Sequence, residues 1–454
     1  MRIQSALVLG LAASTQAAPV PGLIGDLFAG IQASVNNVVT TVTSQVKSAN
    51  ALADAVAKLG VMLRTDGSKA GSKFSSNQFV FNEIATIKKI IHDIIWAKQG
   101  RSFVNWTTYK ANGVNLGAWL EQEQNYDLAW WAANVGNNYI DEWSWCQAVG
   151  FATCGPKLEA RYNSFITQAD IDKMGKLGIN TLRIPTTYAA WVKVPGSQLY
   201  TGGQQAALAN VVNYAIDKYN MHVIIGLHSL PGGVNTLGIG EAFGHDAWFF
   251  NATNLDYSFR AIDSVLNFIK ASNRQYAFTI APINEPSDNF AGFTTPAGLT
   301  TNGGNWINTY MNGVLSRIGK VDKRIPLMLQ DAFFSEQHWS PFYPAGTNMV
   351  IDSHIYFFAA AGAYSQYVAP AFVVKPNSSA KSLYNNTLAY RKTLYDTQVY
   401  AYNKYASGGA FWNYRMLNDV DTVDGEGKLQ DYWSWSGLAD AGIPSATGVN
   451  GSYC

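Results

Sequence analysis

Short apolar runs alternate with stretches of helical periodicity over the carboxyl-terminal three quarters of the chain. The runs span residues 113–117, 180–185, 222–228, 277–285, 326–331, 349–356, 371–374 and 409–414. Continuous apolar strands separated by helices form parallel sheets that are covered on both faces, and eight such strands favour closure into a barrel. The pattern therefore predicts an α/β protein with a (β/α)8 TIM barrel over residues 106–454. An open doubly wound sheet is the alternative.

A different pattern precedes the predicted barrel. Apolar residues recur at helical spacing over residues 23–63 and again over 81–95, and a stretch rich in Gly, Ser and Lys separates the two. We interpret residues 19–105 as a helical amino-terminal extension with a linker. Residues 1–18 combine a basic start, an apolar stretch and small residues at the end, which is typical of a signal peptide.

The signal peptide predicts a secreted protein that is extracellular or resides in the cell wall. Asn-X-Ser/Thr glycosylation sequences are compatible with that route and begin at Asn105, Asn251, Asn377, Asn385 and Asn450. Three cysteines, Cys146, Cys154 and Cys454, allow at most one intramolecular disulfide, and the sequence does not choose the pair. Without a C-x-x-C motif or a nearby His pair they do not indicate a zinc site, and we expect neither metal nor cofactor.

The composition narrows the class of partner. Lys plus Arg number 32 against 31 Asp plus Glu, so no net field favours nucleic acid or an anionic membrane. The chain contains 14 Trp and 24 Tyr, whose flat apolar faces suit sugar rings. We therefore expect a protein that has a neutral ligand and binds neither nucleic acid nor membrane. We also expect it to be a monomer.

Polar or aromatic side chains fall at the carboxyl end of most predicted strands. They are Arg183, His228, Asn284, Glu285, Asp331, His354, Tyr356 and Trp412. The carboxyl ends of parallel barrel strands open into one mouth, where active sites of this fold are assembled, so we expect these residues to converge. Pro286 ends the strand directly after Glu285, and a partly buried carboxyl at such a strand end can serve as a general acid.

Several motifs resemble fungal exo-β-1,3-glucanases of glycoside hydrolase family 5. Asn284-Glu285-Pro286 is similar to the Asn-Glu-Pro signature of that family. Further similar stretches follow in the family's order, at residues 113–119 with Glu123, 177–185, 227–232, 331–333, 352–356, 411–412 and 432–434. The resemblance covers about residues 105 to 445 and is more specific than the Asn-Glu-Pro sequence by itself.

The resemblance implies a role for each matching residue. Glu285 would be the acid/base of a retaining mechanism, and Arg183 and Asn284 would organise the catalytic carboxylates. Glu123 would accept hydrogen bonds from sugar hydroxyls. The remaining implied substrate contacts are His228, Asp331, His354, Tyr356 and Trp412, the last of these as a platform for the terminal glucose.

The seventh predicted strand departs from the family pattern. A retaining glycosidase needs a second carboxylate about 5–5.5 Å from the first. The resemblance places this nucleophile at the end of the strand 371–374, where the chain has Lys375-Pro376, and no Asp or Glu occurs over residues 353–395. We therefore expect a protein that recognises β-glucan or its oligosaccharides, β-1,3-linked by the resemblance, with hydrolysis of the terminal glucose lost or strongly impaired.

Two alternatives remain open. The first is an active glucan 1,3-β-glucosidase that takes its second carboxylate from elsewhere, such as Asp419, Asp421, Asp424 or Glu426. The second is a structural wall protein that uses its amino-terminal helices for assembly.

Overall fold

The computed structural model of the protein describes residues 102–354, 388–417 and 433–444. Several sequence predictions lie outside these ranges: the signal peptide, the helices of the amino-terminal extension, the strand 371–374 with Lys375 and Pro376, Tyr356, the acidic residues 419–426, and Cys454. These features stay predictions from the sequence.

The strands of the described residues form one parallel sheet. They are β1 (Ala111–Asn115), β2 (Thr181–Thr186), β3 (His222–Leu227), β4 (Phe278–Ala281), β5 (Leu327–Gln330), β6 (Met349–Asp352) and β7 (Gly408–Phe411). Their order is β6-β5-β4-β3-β2-β1-β7, and each neighbouring pair is parallel. An order that follows the chain, with the last strand returning to the first, is that of a (β/α)8 barrel and not of a doubly wound sheet.

Helices follow the strands along the chain. They are α1 (Leu128–Asn134), α2 (Glu142–Val149), α3 (Phe151–Ser164), α4 (Gln168–Lys176), α5 (Gln204–Tyr219), α6 (Ala252–Ala271), α7 (Thr301–Asp322), α8 (Glu336–Trp339), α9 (Leu388–Tyr405) and α10 (Trp435–Asp440). Four of them lie between β1 and β2, where a standard βα unit has one. The helical pattern of the sequence predicts a helix over residues 387–406, and α9 agrees with it within one residue at each end.

The core lies on both faces of the sheet. Every residue of β2, β3, β4 and β5 is buried, as expected for strands that face the barrel interior on one side and helices on the other. The buried stripe of α6, which includes Ala261, Ile262, Val265 and Ile269, recurs at helical spacing. The packed core fixes the carboxyl ends of the strands, from which the functional side chains extend.

A disulfide joins the first two cysteines of the chain. Cys146 on α2 bonds to Cys154 on α3, with the Cα atoms 5.5 Å apart. The structure thus selects the pair that the sequence leaves open. Within the described parts of the chain, no helix has the length and the apolar character that crossing a bilayer requires.

Candidate active site

Arg183 ties together the carboxyl ends of three strands. It lies buried in β2, where its guanidinium donates to Asn115 Oδ1 of β1 at 3.0 Å and to Asn284 Oδ1, beyond β4, at 2.8 Å. Its Nε atom lies 3.8 Å from Asp352 Oδ2 at the end of β6. A rigid planar donor set of this kind fixes the orientation of the amides it contacts. The sequence predicts the Arg183 and Asn284 positions but does not single out Asn115.

Glu285 lies four residues beyond the end of β4 and is only 3% exposed. Its φ of 46° falls in the left-handed region, which is uncommon for a residue with a side chain. Asn235 Nδ2 donates to the Glu285 carbonyl oxygen at 3.0 Å, which holds this turn. The carboxyl group Oε1 lies 2.7 Å from His354 Nδ1. The residue predicted as general acid is therefore buried and held by both backbone and side-chain contacts.

His354 links Glu285 to a second carboxylate. Its Nε2 atom lies 3.2 Å from Asp352 Oδ2, so the imidazole stands between two acidic groups. Burial disfavours the imidazolium, but the Asp352 and Glu285 carboxylates outweigh it and raise the pKa of His354 to about 9. For Asp352, burial is outweighed by His354 and Arg183, which lower the pKa of the carboxyl. His354 therefore carries a positive charge at neutral pH.

Trp412 and His228 form a second group at the same end of the sheet. Their rings are parallel within 2°, with centroids 5.6 Å apart. Trp412 Nε1 donates to the Tyr126 hydroxyl, and His228 Nε2 lies 3.7 Å from Glu123 Oε1. Burial, reinforced by the charges of Arg183 and His354, lowers the pKa of His228 well below its usual value. The imidazole is therefore neutral and offers both a ring face and a hydrogen-bonding nitrogen.

Glu121 is a buried carboxyl that the sequence prediction missed. Its Oε1 atom accepts from the Ala118 backbone N–H at 2.9 Å, and burial raises its pKa to about 7. Burial also raises the pKa of Glu123 well above its usual value, and the neighbouring Glu121 carboxyl adds to this shift. The signal in the sequence is an acidic residue two positions before Glu123 in the same loop.

A divalent cation would find suitable donor atoms here. Ligand atoms of Glu121, Glu123 and His228 lie within 4.8 Å of one another, and carboxylates with imidazole are typical ligands of zinc. The Arg183 guanidinium acts on both carboxyls and opposes an added cation. The three residues are equally suited to hydrogen-bonding the hydroxyl groups of a sugar.

Asp331 is engaged by its own surroundings. One carboxyl oxygen accepts from the Phe333 backbone N–H at 2.9 Å, and the other accepts from Ser353 Oγ at 2.7 Å. Burial raises the pKa of the Asp331 carboxyl. The Asp331 side chain thus holds Ser353, the residue directly before His354.

The structure thus groups the predicted residues into two connected sets. One contains Arg183, Asn284, Glu285 and His354, and the other contains Glu123, His228 and Trp412. Their catalytic and sugar-binding roles stay predictions.

Comparison with known proteins agrees with the fold. Residues 140–444 match the sequence profile of Cellulase (glycosyl hydrolase family 5). The crystal structure of rutinosidase from Aspergillus niger is similar, with a TM-score of 0.69 and 41% identity over 75% of this chain and 99% of that one.

Among sequences, the probable glucan 1,3-beta-glucosidase A of Aspergillus niger is 30% identical over 54% of this chain and 55% of the relative. Glucan 1,3-beta-glucosidase 1 of Schizosaccharomyces pombe is 28% identical over 57% and 61%. The chain spans between half and two thirds of the length of these glucosidases. The profile match covers more than half of the chain and the rutinosidase is matched along nearly its whole length, so the protein belongs to glycosyl hydrolase family 5.

Proposed function

We propose that the protein binds the terminal glucosyl unit of a β-1,3-glucan at this site and hydrolyses it feebly or not at all. One observation carries the proposal. The carboxyl group of Glu285 is paired with the cationic His354 at 2.7 Å, whereas the segment that should supply the nucleophile, residues 353–395, contains no Asp or Glu.

The expected loss of rate follows from the charges in the reaction. Retaining hydrolysis passes through an oxocarbenium-like transition state that an anionic nucleophile stabilises before it attacks the anomeric carbon. Here the Glu285–His354 pair still holds a proton that can pass through Glu285 to the leaving oxygen, but the position opposite lacks its anion. The positive charge of His354 lies close to the developing positive charge and does not replace that anion.

The binding half of the proposal rests on Trp412, His228 and Glu123. The Trp412 ring, held parallel to the buried His228 ring, presents a flat apolar surface to the axial C–H groups of a sugar ring, and the Glu123 carboxyl group is suited to a pair of hydroxyls. These contacts need no nucleophile, so recognition can persist when turnover is lost.

The test measures binding and turnover on one preparation. We expect calorimetry to detect binding of a β-1,3-gluco-oligosaccharide while glucose release stays near background. Trp412→Ala should weaken binding about tenfold, because it removes a ring face worth roughly 1–2 kcal/mol. Fast glucose release that Glu285→Gln abolishes would refute the proposed loss of hydrolysis and favour an active glucosidase.

A gain-of-function variant tests the missing nucleophile directly. Pro376→Glu combined with Lys375→Gly should restore measurable hydrolysis, and the contacts among Arg183, Asn284, Glu285 and His354 support this expectation. Lys375→Gly alone is the matched control and should stay inactive. If the double variant folds and binds the oligosaccharide yet releases no glucose, the missing carboxylate is not the cause of the low rate.

A rutinoside is the second candidate ligand. It is favoured by the rutinosidase of Aspergillus niger, which is more similar to this chain than the glucosidases are and is matched over 99% of its length. Calorimetric titration with rutin and with the gluco-oligosaccharide distinguishes the two candidate ligands. Only the true ligand should bind the unmodified protein and lose affinity in the Trp412→Ala variant.

We also propose that the protein is exported. The pattern of residues 1–18 supports a signal peptide, and the Cys146–Cys154 disulfide is typical of an oxidising compartment. Amino-terminal sequencing of protein from the culture medium should begin near residue 19. Protein that stays in the cell with residues 1–18 attached would contradict export.

A further inference from the structure

An open pocket lies at the beginnings of helices α6 and α7. Its lining consists of Phe250, Asn302, Asn305, Trp306 and Thr309, and its volume is about 340 Å³. Volumes of roughly 300–1,000 Å³ are typical of sites for small ligands. In a (β/α)8 barrel each helix begins at the end of the barrel where the preceding strand ends. The pocket, which we call the Phe250–Trp306 pocket, therefore opens at the same end of the barrel as Glu285.

Two aromatic rings form the apolar part of the Phe250–Trp306 pocket. Phe250 is 56% exposed, and its ring centroid lies 5.8 Å from that of Trp306. Its φ of 58° is in the left-handed region, which costs a residue with a side chain about 1 kcal/mol. Trp306 packs on the fully buried Trp248, with centroids 6.3 Å apart. The pair is thus an exposed aromatic surface on a rigid support.

Amide groups supply the polar part. Asn302 and Asn305 are exposed at the first turns of α7, where their side-chain amides can donate and accept. Trp306 Nε1 is buried and has no hydrogen-bond partner among the residues that the structure describes. The five lining residues carry no charge. Aromatic faces beside neutral amides match a sugar, and without a cationic side chain they do not match an anion.

We propose that the Phe250–Trp306 pocket is a second binding site for the glucan whose end enters the active site. This inference rests on the proposed function. Two sites on one end of the barrel can hold a long chain, or two chains of a particle, at the same time. The second contact then forms at a high effective concentration, so polymer binds more tightly than a short oligosaccharide without any change in the first site.

The test compares polymer with trisaccharide. We expect Trp306→Ala to lower the affinity for insoluble β-1,3-glucan particles about tenfold and to leave the calorimetric affinity for laminaritriose unchanged. Asn302→Ala with Asn305→Ala should act in the same direction, and because both side chains are exposed this variant keeps the fold. Phe342→Ala is the matched control, since Phe342 is 46% exposed and lies outside the pocket.

The outcomes separate this inference from the proposed function. If the unmodified protein fails to bind laminaritriose, the proposed function is wrong. If it binds laminaritriose and all pocket variants retain polymer as the control does, the second site is refuted while the proposed function stands.

A covalent glycan on Asn251, next to Phe250, is the competing occupant of the pocket. Thr253→Ala removes that glycosylation sequence and keeps the Asn251 side chain that caps α6. The pocket substitutions are repeated in the Thr253→Ala protein. Weaker polymer retention in this series supports the proposal, and uniform retention overturns it.

Discussion

At the scale of single residues, Glu121 is a buried acid whose surroundings favour the neutral carboxyl. Its pKa is about 7 in the folded protein against an ordinary value of 4.5, so between these pH values only the folded state holds the proton. Stability is therefore lost as pH rises through this window. We expect Glu121→Gln to be more stable than the unmodified protein by about 1–3 kcal/mol at pH 8. The gain should disappear at pH 4.5.

Urea unfolding at pH 4.5, 6 and 8 measures this difference. Glu121→Ala is the control, because it removes both the charge and the acceptor of the Ala118 N–H, whereas glutamine keeps an acceptor oxygen. A Glu121→Gln protein that is less stable than the unmodified protein at pH 8 would contradict the raised pKa of the Glu121 carboxyl.

His354 has the opposite pH dependence. Its pKa is raised from 6.5 to about 9, so the interaction with Asp352 and Glu285 stabilises the fold fully below pH 6.5 and is lost as pH rises through 9. We expect His354→Gln to cost up to roughly 3 kcal/mol of unfolding free energy at pH 6 and much less at pH 9.5. If the unfolding free energies of the unmodified protein and the His354→Gln variant change in parallel with pH, the imidazole is not protonated between the carboxylates. An NMR titration of the His354 ring measures the pKa directly.

Sequence reasoning at this scale identifies residues at strand ends better than residues that support them. Arg183, Glu285 and His354 stand at the carboxyl ends of apolar runs, so their convergence follows from the geometry of a parallel barrel. Glu121 and Asn235 lie in loops, whose conformations depend on tertiary contacts with no local signal.

At the scale of elements, the pairing of β1 with β7 depends on a glycine. Gly408 has a φ of 88° and pairs with Ala111, and a Cβ atom there would collide with the Ala111 backbone. Gly346 has the same φ of 88°, with nothing within 4 Å of an added Cβ atom. We expect Gly346→Ala to cost about 1–2 kcal/mol from backbone strain alone. Gly408→Ala should cost at least about 3 kcal/mol, because steric conflict adds to the strain.

Thermal unfolding of both variants provides the comparison. Equal shifts in the midpoint would mean that β7 can move away from β1 without loss. A larger shift for Gly408→Ala would show that the barrel is closed by a tight contact at this pair.

The bounds of the strands were only partly predictable. Most predicted runs extend beyond the carboxyl end of the observed strand. For example, β4 ends at Ala281, whereas the predicted run continues to Glu285. Those extra residues leave the sheet to form the site, and burial alone cannot distinguish them from strand residues. The first strand begins two residues before the predicted run. Ala111 and Asn112 belong to it because they pair with Gly408 and Gly409 of β7, a distant contact that no local sequence pattern indicates.

At the scale of the whole molecule, the disulfide joins two buried cysteines of neighbouring helices. The third cysteine of the sequence takes no part in this disulfide. We expect the unfolded, unreduced protein to titrate with one thiol, that of Cys454. The Cys146→Ser, Cys154→Ser double variant should lose about 2–3 kcal/mol of unfolding free energy. The disulfide closes a short loop and so lowers the conformational entropy of the unfolded chain, which contributes about that much to stability. Three titratable thiols before reduction would contradict the assigned pair.

The fold class was predictable because the number of apolar runs and their alternation with helices favour the barrel, and the observed strand order excludes the doubly wound alternative. The family follows from the same residues, since Asn284-Glu285-Pro286 and the neighbouring motifs occur in the expected order. The absence of a second catalytic carboxylate stays a prediction from the sequence, because residues 355–387, which contain no Asp or Glu, lie outside the described part of the chain.

The return of β7 to β1 constrains when the protein can fold during synthesis. Ser407 Oγ donates to the Trp106 carbonyl oxygen across 301 residues, and Lys110 reaches the Ala406 carbonyl across 296. A ribosome must therefore deliver almost the whole chain before β1 finds its second neighbour, and until then that edge stays open to other strands. A nascent chain of this kind is a natural client for chaperones, which can shield the edge until the last strand emerges.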